Sequence, residues 1–164
     1  MSTIPVARDF MVKTLQTMRP EMNIFDAIAI LLRNRISGAP VVDEQNHVVG
    51  VLSEKDCLRV FVSGAIHQLA GGIVADYMSK GAVTIEPDDD LFKVADIFLK
   101  NSFRRLPVVE KGVLMGQVSR RDVLFVSKKL FIDPDARKTW SDSKYLTDEM
   151  KAKLEGPTPD TPTQ

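Results

Sequence analysis

The stretch Gly116-Gln117-Val118-Ser119-Arg120-Arg121-Asp122 reads as the end of a strand, a tight switch and the start of a helix. An earlier stretch, Gly50-Val51-Leu52-Ser53-Glu54-Lys55-Asp56, has the same build. Each sets a hydroxyl and a carboxylate three residues apart, just ahead of an apolar run. Taken alone, such a Ser-x-x-Asp is a helix-capping pattern: the serine accepts from a first-turn N–H, and the carboxylate favours the positive end of the helix. Two copies in matched surroundings ask for more than a cap.

Working outward, sliding the chain along itself by 67 residues (107 − 40) aligns Asp9 with Asp76, Met11 with Met78, Lys13 with Lys80, Thr17 with Thr84 and Pro20 with Pro87. Farther on, Phe25 meets Phe92, Leu32 meets Leu99, and Pro40-Val41-Val42 meets Pro107-Val108-Val109. The loss of one loop residue then brings the offset to 66, pairing Gly50, Ser53 and Asp56 with Gly116, Ser119 and Asp122. Self-similarity of this kind constrains the architecture before any local reading does. It divides the chain into repeat 1 at 9–63, a linker at 64–75, repeat 2 at 76–129 and a C-terminal extension at 130–164.

Each copy predicts the same elements. A short helical lead-in (Ala7 to Val12, Val74 to Ser79) precedes an extended segment ending at Pro20 or Pro87, as the restriction on the residue before proline favours. A helix follows, with Asn23 or Asp90 as N-cap and a buried face of Phe25, Ile28, Ala29 and Leu32, or Leu91, Val94, Ala95 and Phe98. The run Asp88-Asp89-Asp90 suits a helix N-terminus without a cation. Hairpins come next: Ala39 to Val42 with Val48 to Leu52, and Leu106 to Val109 with Val113 to Val118. These strands are nearly all apolar, so both faces should be covered. The helix opened by each Ser-x-x-Asp closes the copy.

The result is an α+β fold of two tandem β-α-β-β-α repeats. A single copy is too small to bury much surface, and two packed together resolve that. Between them, Gly64 and Gly71-Gly72 bracket Ala65 to Ala70, read as one or two helical turns. In the extension, Thr147 to Leu154 carries helix start and stop signals, and Trp140 and Tyr145 could form a docking tail. Residues 158–164 are polar and proline-rich and are expected to be disordered.

Composition narrows the function. Lys plus Arg equals Asp plus Glu at 22 each, so no net field draws the chain to nucleic acid or an acidic membrane, and any anion site must be built locally. No apolar run reaches membrane-spanning length and no signal segment opens the chain, which reads as a cytoplasmic protein. The lone Cys57 sits in an apolar helical pattern, as a small buried side chain does. His47, in a turn, and His67, in the linker, lack companions for metal binding. With no nucleophile paired to a base, the chain is not expected to be an enzyme, and neither a metal nor a catalytic residue is assigned.

The tandem arrangement, the Pro-Val-Val strands and the Gly-x-x-Ser-x-x-Asp junctions closely resemble the paired cystathionine β-synthase (CBS) domain, or Bateman module, over about Asp9 to Lys129. The resemblance implies two repeats packed around a pseudo-twofold axis with two clefts. Each cleft would take an adenosine compound such as AMP, ADP, ATP or S-adenosylmethionine, as a regulatory ligand and not a cofactor. It also implies a homodimer and a regulated partner protein. Chemically, a carboxylate can accept from both ribose hydroxyls, while the serine hydroxyl and the free N–H groups of a helix start can donate to phosphate. The family pattern assigns the ribose to Asp56 and Asp122, with Ser53 and Ser119 near the phosphate. It assigns the base to the backbone at Ala39-Pro40 and Leu106-Pro107 and to the segments ending at Thr17 and Thr84, with Lys13 and Lys80 also counted as nucleotide-binding.

The copies diverge where phosphate would sit. Repeat 2 has Arg104, Arg105, Arg120 and Arg121 where repeat 1 has Ser37, Gly38, Glu54 and Lys55. Guanidinium groups grip phosphate bidentately, so the Ser119/Asp122 cleft is expected to fill before the Ser53/Asp56 cleft. The main alternative is an unliganded dimerisation scaffold. A nucleotide-acting enzyme is a more distant one.

Overall fold

The computed structural model describes residues 4–67, 71–133 and Ser143. Its elements in chain order are α1 (Ala7–Phe10), α2 (Ile24–Asn34), β1 (Gly38–Val42), β2 (Val48–Ser53), α3 (Glu54–His67), α4 (Val74–Tyr77), α5 (Leu91–Lys100), β3 (Arg105–Glu110), β4 (Val113–Ser119) and α6 (Arg120–Ile132). The α+β fold with two repeats of like layout is as the sequence predicts. β1 and β2 form one antiparallel hairpin and β3 and β4 another, each with a register shift, at Val41/Val42 and Val108/Val109.

The first strand of each repeat is reduced to a single parallel bridge, Met18 to Val41 and Ile85 to Val108. Met18 N–H donates to the Pro40 carbonyl and Val42 N–H to that of Met18, and Ile85 repeats the pattern with Pro107 and Val109. Pro40 and Pro107 have no N–H to give, so pairing on that side runs through their carbonyls. Met18 and Ile85 are buried beneath their helices.

Both α2 and α5 start where the caps place them. Asn23 Oδ1 accepts from Phe25 N–H at 2.9 Å and Asp90 Oδ1 from Lys93 N–H at 2.9 Å. On α5 the expected face is inside: Leu91, Val94 and Phe98 are buried. On α2 it is not. Ile24, Ala27 and Leu31 point inward, while Phe25 and Leu32 are 44% and 68% exposed. The sequence of α2 is apolar almost all round, so its period admits more than one face and packing chooses among them. The acidic run before α5 is occupied by protein partners: Asp88 by Arg8, Asp89 by Glu86 N–H and Lys93, Asp90 by Lys93 N–H and Ser143.

The lead-in helices are single turns, shorter than predicted. Met11 and Met78 are already extended, and Asp9 and Asp76 fold back to accept from Val6 and Ile73 N–H at 2.9 Å. Each lead-in packs on the other repeat. Ala7 and Arg8 N–H donate to the Asp89 and Pro87 carbonyls, and Val12 pairs with Gln117; Val74 and Ala75 N–H donate to Met22 and Pro20, and Ser79 pairs with Val51. The two cores are therefore mixed. Val74, Tyr77 and Met78 complete the core of repeat 1, whereas Ala7, Phe10 and Met11 complete that of repeat 2.

The glycines that open the two junction stretches permit this crossing. A Cβ on Gly50 would meet the Ser79 carbonyl oxygen at 2.9 Å and Met78 Sδ at 2.8 Å; on Gly116 it would meet the Val12 carbonyl oxygen at 3.0 Å and Met11 Sδ at 2.7 Å. The hairpin turns also join, with Val48 N–H donating to Gly112 and Leu114 N–H to Asn46. Helix α3 continues through Gly64 to His67, into the stretch read as linker, and α6 stops at Ile132. The reading of Thr147 to Leu154, together with Trp140 and Tyr145, lies outside the described residues. Among the described residues no helix is long and apolar enough to cross a membrane.

Candidate functional site

Both Ser-x-x-Asp stretches form the caps their sequence predicts. Ser53 N–H and Oγ–H donate to Asp56 Oδ2 at 2.9 and 2.6 Å, and Asp56 N–H donates back to Ser53 Oγ at 3.2 Å. At the start of α6, Ser119 N–H and Oγ–H donate to Asp122 Oδ2 at 2.7 and 2.6 Å, with the return bond again 3.2 Å. In each case one carboxylate oxygen is spent on the helix and the other is left over. Asp56 Oδ1 accepts from Ser79 Oγ at 3.3 Å and has Arg59 Nη1 at 3.9 Å. Asp122 Oδ1 has no protein partner among the described residues.

Each cap borders a cavity. The one at Ser53 and Asp56 measures about 550 Å³, and the one at Ser119 and Asp122 about 360 Å³, both in the range of small-molecule sites. Neither belongs to one repeat. Because the lead-ins cross, Ser79 stands beside Asp56 while Val12, Thr14 and Gln16 stand beside Asp122. The loop after each first helix crosses as well. Residues 102–105, which follow α5, wall the Asp56 cavity, whereas Asn34 and Ile36 wall the Asp122 cavity.

This moves the cations. Arg104 borders the Asp56 cavity and Arg105 borders both, although the sequence comparison set the pair with Asp122. Lys55 and Arg59 join them at Asp56, along with Glu54. Arg120 is turned elsewhere: its Nη2 donates to the Asn101 carbonyl at 3.0 Å and its guanidinium lies 6.0 Å from the Phe98 ring. Arg121 is exposed and borders neither cavity, and the same holds for Lys13, Lys80 and Thr84. Pro107 does border the Asp56 cavity. Ala39, Pro40 and Leu106 are buried in the strands, and Thr17 is half-buried away from both cavities.

Several bordering residues escape the sequence reading: Ser79, Arg59 and Phe103 at one cavity, Thr14 and Gln16 at the other, and Gln117 at both. Ser79 had a signal, since its counterpart in the alignment is Val12, a polar-for-apolar difference beside a matched Met-x-Lys. Arg59 lies one turn after Asp56, within reach by helical spacing.

Cys57 is buried and His47 is occupied. Burial, then the nearby charges of Asp56 and Glu54, push the Cys57 thiol up to about 11. His47 closes a turn with Asp43, whose carboxylate is held below its ordinary value chiefly by the His47 backbone N–H. Among the described residues no three His, Cys, Asp or Glu side chains gather as metal ligands.

Taken together, each cavity is bordered by a carboxylate whose second oxygen is not used by its own helix, open at Asp122 and shared with Ser79 at Asp56, and by a helix start suited to an anion. The CBS-domain family model matches residues 7–63 and 74–129. CBSX1, a chloroplastic CBS domain-containing protein of Arabidopsis thaliana, is 31% identical over 144 residues, covering 71% of this chain and 61% of that protein. MJ1225 of Methanocaldococcus jannaschii is 28% identical over 117 residues, covering 71% of this chain and 41% of that one. The chain thus spans only 41–61% of the length of these curated relatives. Among solved structures, CBSX2 in complex with AMP aligns with a TM-score of 0.69 and 27% identity, over 77% of this chain and 98% of the other. The CBS domain pair of protein MJ0100, in complex with 5′-methylthioadenosine and S-adenosyl-L-methionine, aligns with a TM-score of 0.64 and 26% identity, over 76% and 98%. With both of its repeats matched by the family model, the chain belongs to the CBS-domain family, as a tandem pair.

Proposed function

We propose that this CBS pair is a regulatory module that binds adenine nucleotides of the AMP, ADP or ATP type in its two inter-repeat cavities and signals their presence to a partner protein. The observation that carries this reading is the division of labour at each cap. One carboxylate oxygen holds the helix start in place while the other borders a cavity, where ribose hydroxyls can donate to it. The likeness to CBSX2 with AMP supports the ligand class, and that to MJ0100 with S-adenosyl-L-methionine leaves a sulfonium nucleoside as a further candidate.

The cavity at Ser53 and Asp56 is the better phosphate site. Arg104, Arg105, Lys55 and Arg59 surround it and outweigh Glu54, and Phe103 offers an aromatic face to the base. At the other cap Arg105 is the single cationic side chain among the described lining residues. The order of filling expected from sequence is therefore reversed, with Asp56 before Asp122.

We read the module as non-catalytic and cytoplasmic, and as a homodimer. The exposed apolar side chains Leu58, Phe61 and Val62 on α3, with Leu124 and Phe125 on α6, support a covered face. A scaffold with empty cavities would use the same face, so ligand binding decides between the two readings. In a thermal-shift panel of AMP, ADP, ATP and S-adenosylmethionine, a ligand at a hundred times its Kd adds about 2.7 kcal/mol of stability. Asp56→Ala should cut the affinity of the first site about ten- to a hundredfold, the worth of hydrogen bonds to a charged group. No shift with any of the four would leave the scaffold.

A further inference from the structure

Arg105 alone among the cations of the described residues borders both cavities. It opens β3 opposite Ser119, and its counterpart 67 residues earlier (105 − 38), Gly38, opens β1 opposite Ser53 and also borders both. This pair of equivalent positions lies where the cavities meet. One is a glycine with no side chain to offer, and the other carries the longest cation. No hydrogen bond or ion pair among the described residues engages the Arg105 guanidinium, which is left available to either side.

The cavities depend on it unequally. Among the described residues it is one of four cations at Asp56, and at Asp122 it stands alone. We propose that Arg105 is a shared anion ligand that makes the two cavities antagonistic, so that a phosphate group in the Asp56 cavity withdraws from the Asp122 cavity its single cation. A guanidinium that grips one phosphate bidentately has its fork committed and cannot serve a second anion in the same geometry. This inference rests on the nucleotide reading and adds to it a rule: the second nucleotide binds at a penalty set by the first. The coupling is reciprocal, as linkage requires. The Asp122 cavity is then the site for a ligand with little negative charge whenever the Asp56 cavity is full.

Calorimetry with AMP and, separately, ATP on the full chain tests it. In the wild type the Asp122 cavity should bind roughly 5- to 150-fold more weakly than the same cavity does in Asp56→Ala, read at a nucleotide concentration that leaves the weakened neighbour largely unfilled. Arg105→Ala should bring that ratio to about one while weakening both sites. Arg105→Lys, which keeps one mobile cation, should restore part of it, and Arg104→Ala should weaken the Asp56 site yet leave the antagonism in place. Arg105 is exposed, so these variants should fold. A wild-type ratio of about one would overturn the proposal and leave the nucleotide reading standing, and so would an undiminished ratio in Arg105→Ala. Heat from neither AMP nor ATP would remove both.

Discussion

The two caps have the same residues and nearly the same internal distances, yet Asp56 is 4% exposed and bonded on both oxygens while Asp122 is more open, with one oxygen spare. The difference does not arise in the caps. It comes from what the other repeat delivers: Ser79 to one and Val12 to the other, at equivalent positions of the crossing lead-ins. The local motif therefore fixes the backbone of a site, and the opposite repeat sets its polarity.

Five changes would break or sharpen that contrast. The largest effect is expected in the shared core. Leu52 is fully buried in repeat 1, and Leu52→Ala should cost about 2–5 kcal/mol. Because the cores exchange lead-ins, the loss should appear as one unfolding transition, with hydrogen exchange accelerated in both repeats. Protection retained in repeat 2 would separate the halves. Next, Gly50→Ala places a Cβ against the Ser79 carbonyl and should cost about 1–3 kcal/mol by denaturant titration, disturbing the Asp56 cavity more than the Asp122 cavity. Gly116→Ala should invert that preference.

A smaller change tests the polarity itself. Ser79→Val gives Asp56 the neighbour that Asp122 has, removing a hydrogen bond worth about 1 kcal/mol, and AMP binding at the two sites should become more alike. The smallest effect concerns Cys57, whose counterpart in repeat 2 is Val123, equally buried. Its folded thiol titrates near 11 against an ordinary 9.0. The folded state thus holds the proton more tightly, and the stability this confers is full below about pH 9 and lost as pH rises through 11. Cys57→Val should flatten the melting temperature across that window.

What could be read from the sequence was local. The duplicated spacing placed both hairpins, Asn23 and Asp90 announced their helices, and each Ser-x-x-Asp capped the helix expected of it, because capping is decided within one turn. What could not be read was carried by contacts distant in sequence. Nothing in the order of residues says that residues 102–105 wall the cavity of the earlier cap, so the alignment places Arg104 with Asp122 while the fold places it at the Asp56 cavity. The inward face of α2 is hidden for a different reason: the stripe of Phe25, Ile28 and Leu32 is as apolar as that of Ile24, Ala27 and Leu31, yet the latter is buried while Phe25 and Leu32 are exposed and Ile28 is half-buried between them. The apolar side chains left outside, Phe25 and Leu32 among them, are what a sequence-based reading counts as core.

The exchange of lead-ins has a further consequence. An isolated repeat would keep its own first turn but lose the one that closes its core, so cutting the chain between His67 and Ile73 should yield two fragments, each incomplete and each holding the missing piece of the other. Mixed, they have every contact needed to reassemble. The smallest self-sufficient unit of this architecture is accordingly a couple, and the covalent tether serves to keep its members at high effective concentration.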